Sequence, residues 1–182
     1  MDEKGLVRRC CAGVPGARQE MYETYAGRVL AVCRRYIRDA DRAWDLVHDT
    51  FLRAWDSLDT FRPRRAGSLA AWLSQIAAHL AVDELRSRKQ LTLLSDGMPE
   101  EEVPVDVDVL RTVPVEELID LVSSLPDGYR AVFNLFCLDG YSHREIARLL
   151  GISEKTSQTQ YLKARHKLAA LIAAKYGKDE KE

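Results

Sequence analysis

Residues 140–168, GYSHREIARLLGISEKTSQTQYLKARHKL, read as two short helices around a tight turn. Ser142 and Glu145 match the S-x-x-E capping pattern, in which the hydroxyl accepts from the third helical N–H and the carboxylate reaches back to the cap. A helix is therefore expected from His143 through Ile146, Ala147, Leu149 and Leu150. Gly151 can take the left-handed conformation that ends it, Ser153 can cap the next helix, and Ile152 plugs the corner. This is the helix-turn-helix pattern. If Tyr161, Ala164, Leu168 and Leu171 face inward, a step of about 100° per residue turns Lys155, Thr159, Leu162 and His166 outward, with Gln158 and Lys163 beside them. In such motifs the start of the second helix meets base edges: glutamine pairs with adenine, and lysine with guanine acceptors or phosphate. Arg144 and Arg148 on the first helix, and Arg165 and Lys167 on the second, suit backbone phosphates. The bland alternative is a solvated polar face.

Upstream, a helix is expected near Glu116 to Leu125, and Pro126-Asp127 start another that runs to Asp139-Gly140. Before that, residues 91–115 combine three prolines with an acidic run and no sustained helical period, so they read as a linker. On its far side the apolar spacing is again helical. Met21, Tyr25, Val29, Val32, Cys33, Tyr36 and Ile37 share one helix face. A helix from about Ala43 to Leu58 puts Trp44, Val47, Phe51, Ala54, Trp55 and Leu58 on one face and Asp45, Asp49 and Asp56 on another. After a turn carrying Phe61 and three arginines, Ser68 is placed to cap a long helix to about Lys89. Leu69, Trp72, Leu73, Ile76 and Leu80 form its main apolar stripe, while Ala78, Val82 and Leu85 form a second. The expected fold is all-α: an N-terminal tail (1–18), a helical bundle (19–90), the acidic flexible linker (91–115), a helix-turn-helix domain (116–176) and a C-terminal tail (177–182).

Of the 182 residues, 46% are hydrophobic and 30% charged, as in a soluble globular protein, and no apolar run approaches the roughly 18 residues of a membrane span. A cytoplasmic protein without membrane insertion is expected. The four cysteines lack metal-ligand spacing; Cys10 and Cys11 are expected in a poorly ordered terminus, and Cys33 and Cys137 as buried small residues. No disulfide, metal or cofactor is expected, and no nucleophile-base constellation or phosphate loop suggests an enzyme. His48, His143 and His166 are assigned no role. The net charge of −1 conceals a division: residues 91–120 hold nine acidic residues and one basic, whereas residues 121–182 hold ten basic and seven acidic. Local clusters, not the total, decide which partners fit.

A helix-turn-helix alone suits a stand-alone repressor or activator. The first domain adds a second match. Residues 43–61, AWDLVHDTFLRAWDSLDTF, and 68–90, SLAAWLSQIAAHLAVDELRSRKQ, resemble region 2 of bacterial sigma factors of the extracytoplasmic-function (ECF) type, sigma-70 family. Residues 124–171 resemble their region 4. The resemblance implies a dissociable, non-enzymatic subunit of RNA polymerase that directs promoter-specific initiation. Asp45, Asp49 and Arg53 would dock on the clamp coiled coil of the largest subunit, and region 4 would meet the flap. The minus-ten element would fall to Phe61, Arg62, Arg64, Arg65, Gln75, His79, Arg86 and Arg88, with Phe61 in an apolar pocket for an unstacked base and the arginines along the displaced strand. Relatives commonly carry Asn at the place of His79 and Arg at those of Gln75 and Ala78. The minus-thirty-five element would be met by Arg144, Lys155, Thr156, Gln158, Thr159, Leu162, Lys163 and Arg165. An anti-sigma protein is a further implied partner.

Overall fold

The computed structural model describes residues 2–62, 66–87 and 114–176. Among them are eight α-helices and no strand: α1 (Glu3–Cys11), α2 (Ala17–Tyr36), α3 (Ala40–Asp56), a 3-10 turn (Leu58–Thr60), α4 (Ser68–Ser87), α5 (Val115–Ser124), α6 (Asp127–Phe133) continued by a π turn (Asn134–Leu138), α7 (His143–Leu150) and α8 (Glu154–Tyr176). The chain divides into two compact units, one to Glu84 and one from Leu85. The sequence-based linker (91–113 of it), the C-terminal tail (177–182) and Arg64, Arg65, Arg88 and Lys89 lie outside the described residues.

In the first unit, α2 and α3 pack along their lengths. Asp39 caps α3 by accepting from the Arg42 N–H at 3.0 Å. Ala43, Leu46, Val47, Thr50, Phe51 and Ala54 then recur at three-and-four spacing and are buried. Thr50, a polar residue on that stripe, is satisfied by donating to the Leu46 carbonyl at 2.6 Å. Trp44 departs from expectation. It is 41% exposed, because the face centred on Ala43, Val47 and Ala54 leaves it at the margin, where it meets the His48 ring. On α4 the burial is broad: Leu69, Ala70, Leu73, Ala77, Ala78, Ala81, Val82 and Leu85 are all inside.

Residues 2–18 are not a loose tail. Asp2 caps α1 through the Gly5 N–H, and Leu6, Val7 and Cys10 are buried as α1 packs on α2 and on the 3-10 turn. One turn of apolar residues behind an N-cap aspartate is a helix signal, too short to be legible beside three glycines and a proline. Burial pushes the Cys10 thiol up from its ordinary value, and that of Cys33, fully buried in α2, up to about 12. Cys137, expected inside, is exposed.

The second unit is built on Val122, Leu125, Phe133, Ala164 and Leu168, with Leu118, Leu121, Tyr129 and Tyr161 packed around them. Each of the buried valine, leucine and phenylalanine side chains contributes roughly 1.5–3 kcal/mol. Gly128 lets α6 approach α8, since a Cβ there would stand 3.2 Å from Gln160 Oε1. The helix expected to run to Asp139 instead closes with the π turn, in which the Asp139 N–H reaches the Asn134 carbonyl at 3.0 Å. Gly140, at φ 75°, then turns the chain into α7.

Candidate nucleic-acid interface

The helix-turn-helix forms as its local chemistry dictates. Ser142 Oγ accepts from the Glu145 N–H and the Glu145 carboxylate accepts from the Ser142 N–H at 2.8 Å, completing the capping box. The Ser142 hydroxyl, donating to the Glu145 carboxylate at 2.7 Å, and the Ser142 N–H together draw that carboxyl below its ordinary value. Gly151 adopts φ 67°, and Ser153 Oγ accepts from the Thr156 N–H at 2.9 Å to start α8. Each cap contributes about 1 kcal/mol.

The angle between α7 and α8 is held by an aromatic stack. Phe136, from the π turn, lies on the His143 ring with centroids 4.4 Å apart and planes 12° apart, and meets Tyr161 of α8 at 4.6 Å. His143 Nδ1 and Ser157 Oγ share a hydrogen bond of 2.9 Å across the two helices. Burial holds the imidazole below its ordinary value near 6.5, against a smaller opposing influence from Glu154. A group disfavoured as a cation in the folded state stabilises the fold fully above its unfolded pKa and loses that contribution as pH falls through the folded one. The second unit is therefore expected to melt at a lower temperature at pH 5 than at pH 7.5. His143→Gln should flatten this slope, as read from thermal melts across that range.

On α8 the expected outward row holds in part. Lys155, Gln158 and Leu162 are exposed, Leu162 to 46%, and Thr159 and His166 are half-buried. Arg144 and Arg148 are exposed on α7. Arg165 lies over the Tyr161 ring at 5.7 Å, and the Thr156 hydroxyl is engaged with Ser153 Oγ at 2.8 Å, inside the cap. The placement of Lys163 beside Gln158 is corrected: it is 8% exposed. At about 100° per residue it falls on the flank it shares with Gln160, roughly 140° around the helix from Gln158.

In the first unit, Arg62 is exposed, its guanidinium donating to the Phe61 carbonyl at 3.1 Å and to that of Asp59. Phe61, expected as a wall for an unstacked base, is 8% exposed and packs on Trp72 at 4.9 Å. An aromatic ring at the end of a 3-10 turn buries more apolar area against α4 than it could in water, so it closes the turn and does not project. On α4 Gln75 is exposed and His79 half-buried, and Arg86, exposed on the last turn beyond the unit boundary at Glu84, falls within the same narrow arc at about 100° per residue.

The outer face of α3 carries Asp45, Asp49 and Arg53, all exposed. Asp45 stands 3.5 Å from Arg42, which also pairs with Glu84 of α4. An open recess beside them is lined by Arg42, Asp45, Leu46, His48, Asp49 and Glu84. Sequence reasoning missed Leu52, which is 56% exposed amid this acidic face. Its signal was available: an apolar residue diametrically opposite the buried stripe.

The sigma-70 region 2 profile matches residues 21–90, and the sigma-70 region 4 profile residues 115–168. The chain is 26% identical to the ECF RNA polymerase sigma factor SigW of Bacillus subtilis, over 91% of this chain and 94% of that one. It is 31% identical to the ECF sigma factor SigL of Mycobacterium tuberculosis, over 77% of this chain and 80% of that one. The sigma factor RpoE of Bartonella quintana, solved in complex with the anti-sigma factor NepR, shares the fold, with a TM-score of 0.50 and 21% identity over 86% of this chain and 97% of that one. The stand-alone repressor is not favoured by these likenesses, which match both units in one order. The chain belongs to the ECF RNA polymerase sigma factors of the sigma-70 family, and its function is to direct promoter-specific transcription.

Proposed function

We propose that the first unit docks on the clamp coiled coil of core RNA polymerase through Asp45, Asp49 and Arg53, with Leu52 as an apolar anchor among them. A carboxylate pair at i, i+4 offers one negative stripe to a basic helix, and an exposed leucine one turn beyond Asp49 supplies area that charge alone does not. Arg62, Gln75, His79 and Arg86 then meet the minus-ten element, with Arg64, Arg65 and Arg88 from the neighbouring sequence. The second unit reads the minus-thirty-five element and rests on the flap. An anti-sigma protein covering these surfaces is the third partner, and the chain works in the cytoplasm.

The observation that carries the reading is the exposed succession Lys155, Gln158, Leu162 on a helix whose start is pinned by the Ser153 cap. Gln158 offers an acceptor and a donor to adenine N6 and N7, Leu162 an apolar contact to a thymine methyl, and Lys155 a cation to phosphate. The buried Lys163 is left out of this set. In run-off transcription from a promoter library, Gln158→Ala should relax preference at one upstream position and cost about tenfold on the preferred sequence. An unchanged preference at every upstream position would exclude Gln158 as a reader.

A further inference from the structure

Gly67 precedes α4 at φ 80°, and its carbonyl accepts the Ala71 N–H at 3.1 Å, so it occupies the capping place of that helix. A left-handed glycine has no side chain with which to satisfy the first N–H groups. Ser68, expected as the cap, is instead the first helical residue. The acceptor comes from 64 residues away. Glu3 of α1 receives the Gly67 N–H on Oε1 at 3.0 Å and the Leu69 N–H on Oε2 at 3.4 Å. Its Oε1 is also held by the hydroxyl of Tyr25 of α2 at 3.3 Å, and Tyr25 is itself buried. The same helix α1 packs on the 3-10 turn Leu58–Thr60. It thus touches the chain both where it leaves α3 for Phe61 and Arg62 and where it enters α4. A carboxylate there also matches the positive end of the α4 dipole.

We infer that Glu3 is a positioning residue for minus-ten reading: from α1, which precedes the matched region, it fixes the first turn of α4 and so the presentation of Gln75 and His79 to DNA. This rests on the assignment of α4 to the minus-ten element. Glu3 touches no base and acts through the backbone of Gly67 and Leu69.

The test compares the full-length wild type with Glu3→Ala and Glu3→Gln, each assembled with core polymerase on a duplex that the wild type transcribes. Amide exchange at Gly67 and Leu69 should quicken at least about fivefold in Glu3→Ala, the factor expected for loss of a helix cap. Opening of the minus-ten thymines, followed by permanganate reactivity, should slow by a similar factor, while affinity for core stays within about twofold. Glu3→Gln keeps one carbonyl acceptor and the side-chain volume, so it should fold as the wild type and recover much of both rates. Unchanged amide exchange and opening in Glu3→Ala would overturn the role. So would a loss of core affinity parallel to the loss of opening, because Glu3 would then only hold the unit together. If the wild type opened no duplex with core, the minus-ten assignment would fall and this inference with it; normal wild-type opening with an indifferent Glu3→Ala overturns the role of Glu3 alone.

Discussion

Asp45→Lys combined with Asp49→Lys is expected to weaken binding to core RNA polymerase at least about a hundredfold, with the fold intact. Both carboxylates are exposed on α3, the Asp45 side chain to 61%, so neither contributes to packing. Among the described residues the ion pair lost is Arg42–Asp45 at 3.5 Å, an exposed contact of the kind worth less than about 1 kcal/mol, and lysine is the better helix former. The melting temperature should therefore barely move. At the interface, by contrast, two attractions become two repulsions with a basic partner, and the recess beside Arg42 and Glu84 loses its acidic lip. Anisotropy of a labelled chain titrated with core, at two salt concentrations, reads the effect. The deficit should shrink as salt rises, because screening acts on repulsion as on attraction. Leu52→Ala provides the internal contrast: its loss of affinity should be nearly independent of salt, since it removes area and no charge. Equal affinity in the double variant and the wild type would move the docking face off α3.

The second large effect is on stability. Arg130→Ala is expected to destabilise the second unit by about 3–5 kcal/mol, the range found on breaking a buried charged pair. Arg130 is 2% exposed at the junction of α5 and α6. Its guanidinium donates to the Leu125 carbonyl at 2.9 Å, to that of Ser123 at 3.3 Å and to the Asp127 carboxylate. The carbonyls at the C-terminal end of α5 are groups that no intrahelical N–H can serve, so one planar fork joins the end of one helix to the first turn of the next. Truncation leaves those carbonyls and Asp127 short of a donor and opens a cavity between them. For a unit of this size the loss corresponds to a fall in melting temperature of upward of about 12 °C. Arg130→Lys should recover little, since one ammonium cannot span the three acceptors. Amide resonances of α7 and α8, followed on heating, report the transition. A fall of a few degrees only would show that solvent replaces the guanidinium at little cost.

What could be read in advance follows from the range of each interaction. The capping box of Ser142 and Glu145, the left-handed Gly151 and the Ser153 cap are contacts within three or four residues, so composition at fixed spacing was enough to place them. The same holds for the acidic stripe of α3 and the outward set Lys155, Gln158 and Leu162, which depend on helical period alone. Trp44 and Lys163 lay within a plausible period yet at its margins, and Phe61 in a turn outside any period, so in each case a neighbouring element decides between inside and outside. Glu3 shows the limit most clearly. Nothing near residue 3 indicates that its carboxylate serves N–H groups at residues 67 and 69.

The sequence by itself determined a two-part helical protein with a capped helix-turn-helix and an acidic face on α3, because those features are written in local periodicity and capping chemistry. Only the tertiary structure decided that α1 belongs to the bundle and caps α4, that Phe61 faces Trp72, that Lys163 is covered and that Leu52 stands among the aspartates. Those outcomes are contacts between segments distant in the chain, and their free energy comes from area and hydrogen bonds that exist only once the helices are packed.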